Sequence, residues 1–82
     1  MISLQKVFQV VADALNIDVG LITLESSRDS LVSWDSFGQI SIAVNLEVNF
    51  GISLNTTEMF TFRNISEILN ILKKYNVQVE IN

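Results

Sequence analysis

Residues 34 to 51 read Trp34-Asp35-Ser36-Phe37-Gly38-Gln39-Ile40-Ser41-Ile42-Ala43-Val44-Asn45-Leu46-Glu47-Val48-Asn49-Phe50-Gly51, and this stretch decides the fold. Phe37, Ile40, Val44 and Glu47 recur at helical spacing in one row, while Ala43, Leu46 and Phe50 form the row beside it. Asp35 is a strong N-cap type, and its carboxylate suits the positive end of a helix dipole. Gly51 stands where helices commonly end in a left-handed residue. A helix is therefore expected from Asp35 or Ser36 to Phe50. Valine, isoleucine and asparagine are mediocre helix formers, so tertiary packing must hold it.

Upstream, Leu4, Val7, Phe8, Val11, Ala14 and Leu15 make one apolar stripe, with Ser3 as its cap, which predicts a first helix from Ser3 to Leu15. Residues 16–34 then form a long connection. Connections of such length in compact domains tend to be functional or disordered, but the apolar residues Ile17, Val19, Leu21, Ile22, Leu24, Leu31, Val32 and Trp34 predict an ordered loop lying across the core.

Downstream, Asn55-Thr56-Thr57-Glu58 has capping-box spacing and predicts a short helix through Met59 and Phe60. The spacing recurs at Asn64-Ile65-Ser66-Glu67, ahead of a last helix with Ile65, Ile68, Leu69, Ile71, Leu72 and Tyr75 on its apolar side. Lys73 and Lys74 complement the dipole of its final turn. Val77-Gln78-Val79-Glu80-Ile81-Asn82 alternates like a strand but shows no partner, so terminal fraying is expected. The fold class is thus all-α, a small four-helix bundle of three main helices and one short one. Residues 1–76 form the domain and 77–82 a tail.

Composition bounds the chemistry. The 82 residues carry nine acids, five bases, no histidine and no cysteine, for a net charge of −4. No Ser-His-Asp triad, Cys-His dyad, thiolate or imidazole metal site can be built from them. Asp13, Glu25 and Glu47 lie on different elements with nothing to pair them, so no enzyme is expected. Five scattered bases make no phosphate-tracking stripe, which argues against nucleic acid. The first residues lack a basic region ahead of their apolar stretch, and no apolar run approaches the roughly 18 residues of a membrane span. A cytoplasmic monomer is expected.

The order helix, long loop, helix, short helix, helix, with Asp35-Ser36-Phe37 opening the second, resembles an acyl carrier protein over residues 4 to 75. Trp34-Asp35-Ser36-Phe37-Gly38 is similar to that family's attachment motif. Leu46-Glu47 with Phe50-Gly51-Ile52 resembles the end of its second helix, and Glu58-Met59-Phe60 falls at its short third one. The resemblance implies that Ser36 receives 4′-phosphopantetheine from coenzyme A through a phosphopantetheinyl transferase. The arm would then present acyl thioesters to acyl-loading and acyl-transfer enzymes. A phosphodiester at a helix start meets unpaired N–H groups and the positive dipole end. Asp29-Ser30-Leu31 matches the three-letter motif more closely, but no helical stripe follows it and its distance to Phe50-Gly51 does not fit.

The chain departs from the family where partners dock. Many carriers line the second helix with acids, whereas Gln39 to Asn45 contains none here, and only Asp35, Glu47 and nearby Glu58 remain. Steering by charge should be weak, and a dedicated partner using apolar contacts is implied. The expected interface is Asp35, Phe37, Ile40, Val44, Glu47, Glu58 and Met59. Ile42 and Val48 are expected off the stripe of Ile40 and Val44. The helix would then be apolar on more than one side, as a partner surface or the wall of an acyl pocket. Two other readings stay open: an aminoacyl, D-alanyl or peptidyl carrier, and a helical interaction domain that is never modified, in which Ser36 is a surface residue of a helix start.

Overall fold

A computed structural model describes residues 1–81. Four helices follow one another: α1 over Leu4–Leu15, α2 over Ser36–Phe50, α3 over Thr56–Thr61 and α4 over Ile65–Lys74. The expected bundle of three longer helices and a short one is what forms. Each start is capped by a side chain. Ser3 accepts from Lys6 N, Asp35 from Gly38 N, Asn55 from Glu58 N and Asn64 from Glu67 N. These bonds satisfy amides that a helix leaves without intrahelical acceptors. The capping box closes at α3, where Glu58 also accepts from Asn55 N at 2.9 Å. At α4 the box is shifted, because Glu67 Oε1 accepts from Arg63 N instead.

Val7, Val11 and Leu15 of α1 meet Ile42 and Leu46 of α2 and Ile65, Ile68 and Leu72 of α4 in one core. Gly51 ends α2 with φ of 64°, a conformation that disfavours residues with a Cβ. Asn45 Nδ2 reaches across to the Val10 carbonyl at 2.8 Å, a polar tie between the two longest helices.

The connection from α1 to α2 is ordered, with one 3-10 turn at Val19–Leu21. Ile22 and Trp34 are buried, and Ile17, Val19 and Leu31 pack against the core. Three expected anchors are not anchors: Leu21, Leu24 and Val32 are exposed. The loop is held at its middle by main-chain bonds instead, which no apolar pattern reports. Ser27 pairs with Asn64 as an isolated bridge, Arg28 N donates to the Arg63 carbonyl at 2.8 Å, and Ile65 N donates to the Ser26 carbonyl at 3.2 Å.

The expected fraying is overturned for the tail up to Glu80, and Asn82 lies outside the described residues. Val79–Glu80 pairs in parallel with Ile2–Ser3, and Ile2 N donates to the Gln78 carbonyl at 2.9 Å. Val77 and Val79 turn onto the core beside Ile2. A two-residue partner strand is too short to announce itself by alternation, so the pairing was invisible in sequence. Its length leaves the fold all-α.

Candidate functional site: the start of helix α2

Three segments converge on Ser36. Asp35 Oδ1 accepts from Gly38 N at 2.8 Å, which fixes the turn in which Ser36 is the first helical residue, exposed to solvent. Gly38 lies under the loop: a Cβ there would sit 2.3 Å from the Ser33 carbonyl oxygen and 2.8 Å from Leu15 Cδ2. Only hydrogen in that place lets loop, α1 and α2 meet so closely. Trp34 Nε1 donates to Gln39 Oε1 at 2.7 Å, and its ring lies tilted against Phe62 with centroids 6.2 Å apart.

The loop also brings up a residue that the sequence reading left unassigned. Arg28 Nη2 donates to Ser36 Oγ at 3.0 Å. Eight residues separate the two along an irregular segment, so no periodicity could have found the contact. By contrast, Ser30 is tied into a local turn: its Oγ accepts from Ser27 N at 2.9 Å and donates to the Ser27 carbonyl at 3.1 Å. No helix begins at Asp29-Ser30-Leu31.

The expected docking residues separate into two groups. Asp35, Phe37, Ile40 and Val44 are exposed on α2. Val48 joins them, 75% exposed, since four-residue spacing brings it into line with Val44. Its expected place off the stripe is therefore corrected, and only Ile42 faces the core. The helix has one wet apolar row and one dry side. No pocket opens among the described residues.

Glu47, Glu58 and Met59 are placed differently. Glu47 is half-buried, and its Oε2 accepts from Leu54 N at 2.8 Å, holding the chain after α2. Met59 is half-buried against the core. Glu58 is buried, and its carboxylate accepts from the Lys74 ammonium, the Tyr75 hydroxyl and Asn55 N. It is not the free docking charge expected from sequence. The Lys74 hydrogen bond, with help from Tyr75 and Asn55, lowers its pKa to about 2, while the Lys74 and Tyr75 pKa values are raised. An acid three residues after a cap is as suited to closing a box as to meeting a partner, and here the box wins.

An exposed hydroxyl at a capped helix start, approached by a guanidinium, accommodates a phosphoester. Ser36 exposes a hydroxyl, Arg28 stands against it, and the first turn of α2 carries unpaired amides, groups whose chemistry suits such an ester. The family model described as phosphopantetheine attachment site matches residues 5–72, and the chain belongs to this family. Its cofactor is 4′-phosphopantetheine, bound covalently. Acyl carrier proteins of Rickettsia canadensis (strain McKiel), Rickettsia massiliae (strain Mtu5) and Rickettsia prowazekii (strain Madrid E) are similar to it. Each is 29% identical over 70 residues, which covers 85% of this chain and 81% of theirs. No solved structure matches the chain significantly.

Proposed function

We propose that the protein is a non-catalytic acyl carrier in which Ser36 bears the 4′-phosphopantetheine arm. The observation that carries this reading is the exposed Ser36 hydroxyl at the capped start of α2, in a chain of the attachment-site family. The arm supplies a terminal thiol that holds an acyl group as a thioester. Ser36 contributes the oxygen that is esterified. A phosphopantetheinyl transferase contributes Mg²⁺ and the proton acceptor, in keeping with a chain that has no histidine. The similar Rickettsia proteins are named acyl carrier proteins, which favours an acyl over an aminoacyl, D-alanyl or peptidyl cargo.

Acyl-loading and acyl-transfer enzymes of a specialised lipid or polyketide pathway are the proposed partners. They would dock on Asp35, Phe37, Ile40 and Val44, extended by Val48, with Glu47 and Met59 at the edge. That surface supports contacts made mainly by apolar burial. No helix of the described residues is long and apolar enough to cross a membrane. A cytoplasmic monomer is the proposed working form.

Intact mass measurement after incubation with coenzyme A, Mg²⁺ and a broad-specificity transferase tests the reading. The wild type is expected to gain one phosphopantetheinyl group and Ser36→Ala none. A gain that persists in Ser36→Ala refutes the choice of serine. No gain with several transferases favours the unmodified interaction domain.

A further inference from the structure

We propose that Arg28 holds the phosphodiester of the arm against the start of α2, an assignment that rests on Ser36 being the attachment residue. Arg28 Nη2 already touches the oxygen that becomes the ester, at 3.0 Å. The phosphorus attaches one bond beyond Oγ and its free oxygens two bonds beyond. A guanidinium carries five N–H donors in a planar fork, so it can pair with those oxygens through a small side-chain rotation.

The electrostatics favour a cation at this point. Asp35 is exposed beside Ser36, so esterification sets a second negative charge next to a carboxylate. Repulsion between them is offset by a guanidinium in contact with both the ester and the solvent. The other basic residues are engaged or remote. Arg63 pairs with Asp29 at 3.8 Å, Lys74 with Glu58, Lys6 reaches Asn49 Oδ1 at 3.4 Å, and Lys73 lies in the last turn of α4. Among the described residues no carboxylate lies within ion-pairing distance of Arg28.

The base of the side chain is fixed before any modification. Arg28 N donates to the Arg63 carbonyl at 2.8 Å, and the neighbouring Ser27 bridges to Asn64. Less ordering is needed to form the phosphate contact than on a free loop. The arm would therefore leave the surface in a restricted direction, with its rooted end immobile. Arg28 is a positioning residue and takes no part in bond making.

The experiment compares wild type, Arg28→Gln, Arg28→Lys and Ser36→Ala, each treated with coenzyme A, Mg²⁺ and a transferase and checked by intact mass. At low ionic strength the unfolding midpoint is read for the apo and holo forms, together with the ³¹P resonance of the holo form. Modification is expected to shift the midpoint upward in the wild type relative to its shift in Arg28→Gln, with Arg28→Lys between. The wild-type ³¹P line is expected to be broader and displaced, and to show a hydrogen-bond correlation to an Arg28 side-chain nitrogen. Equal apo-to-holo shifts in wild type and Arg28→Gln, with the same ³¹P line in both, overturn the proposal and leave Ser36 in place. Absence of the mass increment in the wild type, or its presence in Ser36→Ala, overturns the attachment reading and this one with it.

Discussion

Trp34 Nε1 donates to Gln39 Oε1 at 2.7 Å, and Nε2 of the same amide donates to the Met59 carbonyl at 3.2 Å. One side chain thereby joins the end of the long loop, the first turns of α2 and α3. Trp34 and Gln39 are each 1% exposed, so water cannot replace a lost partner. Gln39→Leu is expected to lower stability by about 1–3 kcal/mol, the desolvation cost of groups left unpaired. Urea unfolding followed by Trp34 emission checks this, and an unchanged midpoint contradicts it.

Gly38→Ala tests the close approach of three segments. Its Cβ would lie 2.3 Å from the Ser33 carbonyl oxygen, a backbone atom that moves only with the loop. A loss of about 1–3 kcal/mol is expected from overpacking. The loop carrying Arg28 and Trp34 is expected to shift as well, so Ser36 should be modified more slowly. Full-rate modification with unaltered stability would show that the loop yields freely.

Asp35 and Ser36 are adjacent and should behave oppositely. Asp35→Ala removes the cap bonded to Gly38 N and is expected to cost about 1 kcal/mol. Ser36→Ala leaves the cap in place, so its stability should stay within about 0.5 kcal/mol of wild type while modification is lost. Chemical denaturation and intact mass on the same samples separate the two effects.

Acid should weaken the fold through Glu58. Its pKa is lowered from the ordinary 4.5 to about 2 by Lys74, Tyr75 and Asn55. A lowered folded-state pKa gives stability that is present above pH 4.5 and lost as pH falls towards 2, because the unfolded chain takes up the proton first. Glu58→Gln is expected to be less stable than wild type at pH 7 and to approach it at pH 2. Urea midpoints across that range read the difference, and parallel curves would show that the carboxylate is unpaired in solution.

The row of Phe37, Ile40, Val44 and Val48 predicts association that depends little on salt, since screening acts on exposed charges and not on apolar burial. Val44→Asp, at an exposed position, should raise the KM of the transferase without lowering stability appreciably. A steep rise of wild-type KM with added salt would show that charge governs docking.

Helix positions were legible because capping is a local matter. Ser3, Asp35, Asn55 and Asn64 each bond to an amide three residues ahead, and spacing along the chain is all such a bond requires. The apolar stripes of α1 and α4 were legible for the same reason. α2 is less legible: four-residue spacing brings Val48 onto the exposed row, and Glu58 nearby, a docking charge by its place in the sequence, is held inward by three partners.

What sequence alone determined was the number and bounds of the helices, the capped start that presents Ser36, and a composition without histidine or cysteine. Tertiary structure decided which loop residues are anchors, that the tail pairs with Ile2–Ser3, where the charge of Glu58 is spent, and that Arg28 stands against Ser36. The division follows the range of the forces. Caps and stripes act within one or two turns, whereas a backbone bridge at Ser27–Asn64 or a guanidinium eight residues from its partner depends on how distant segments pack.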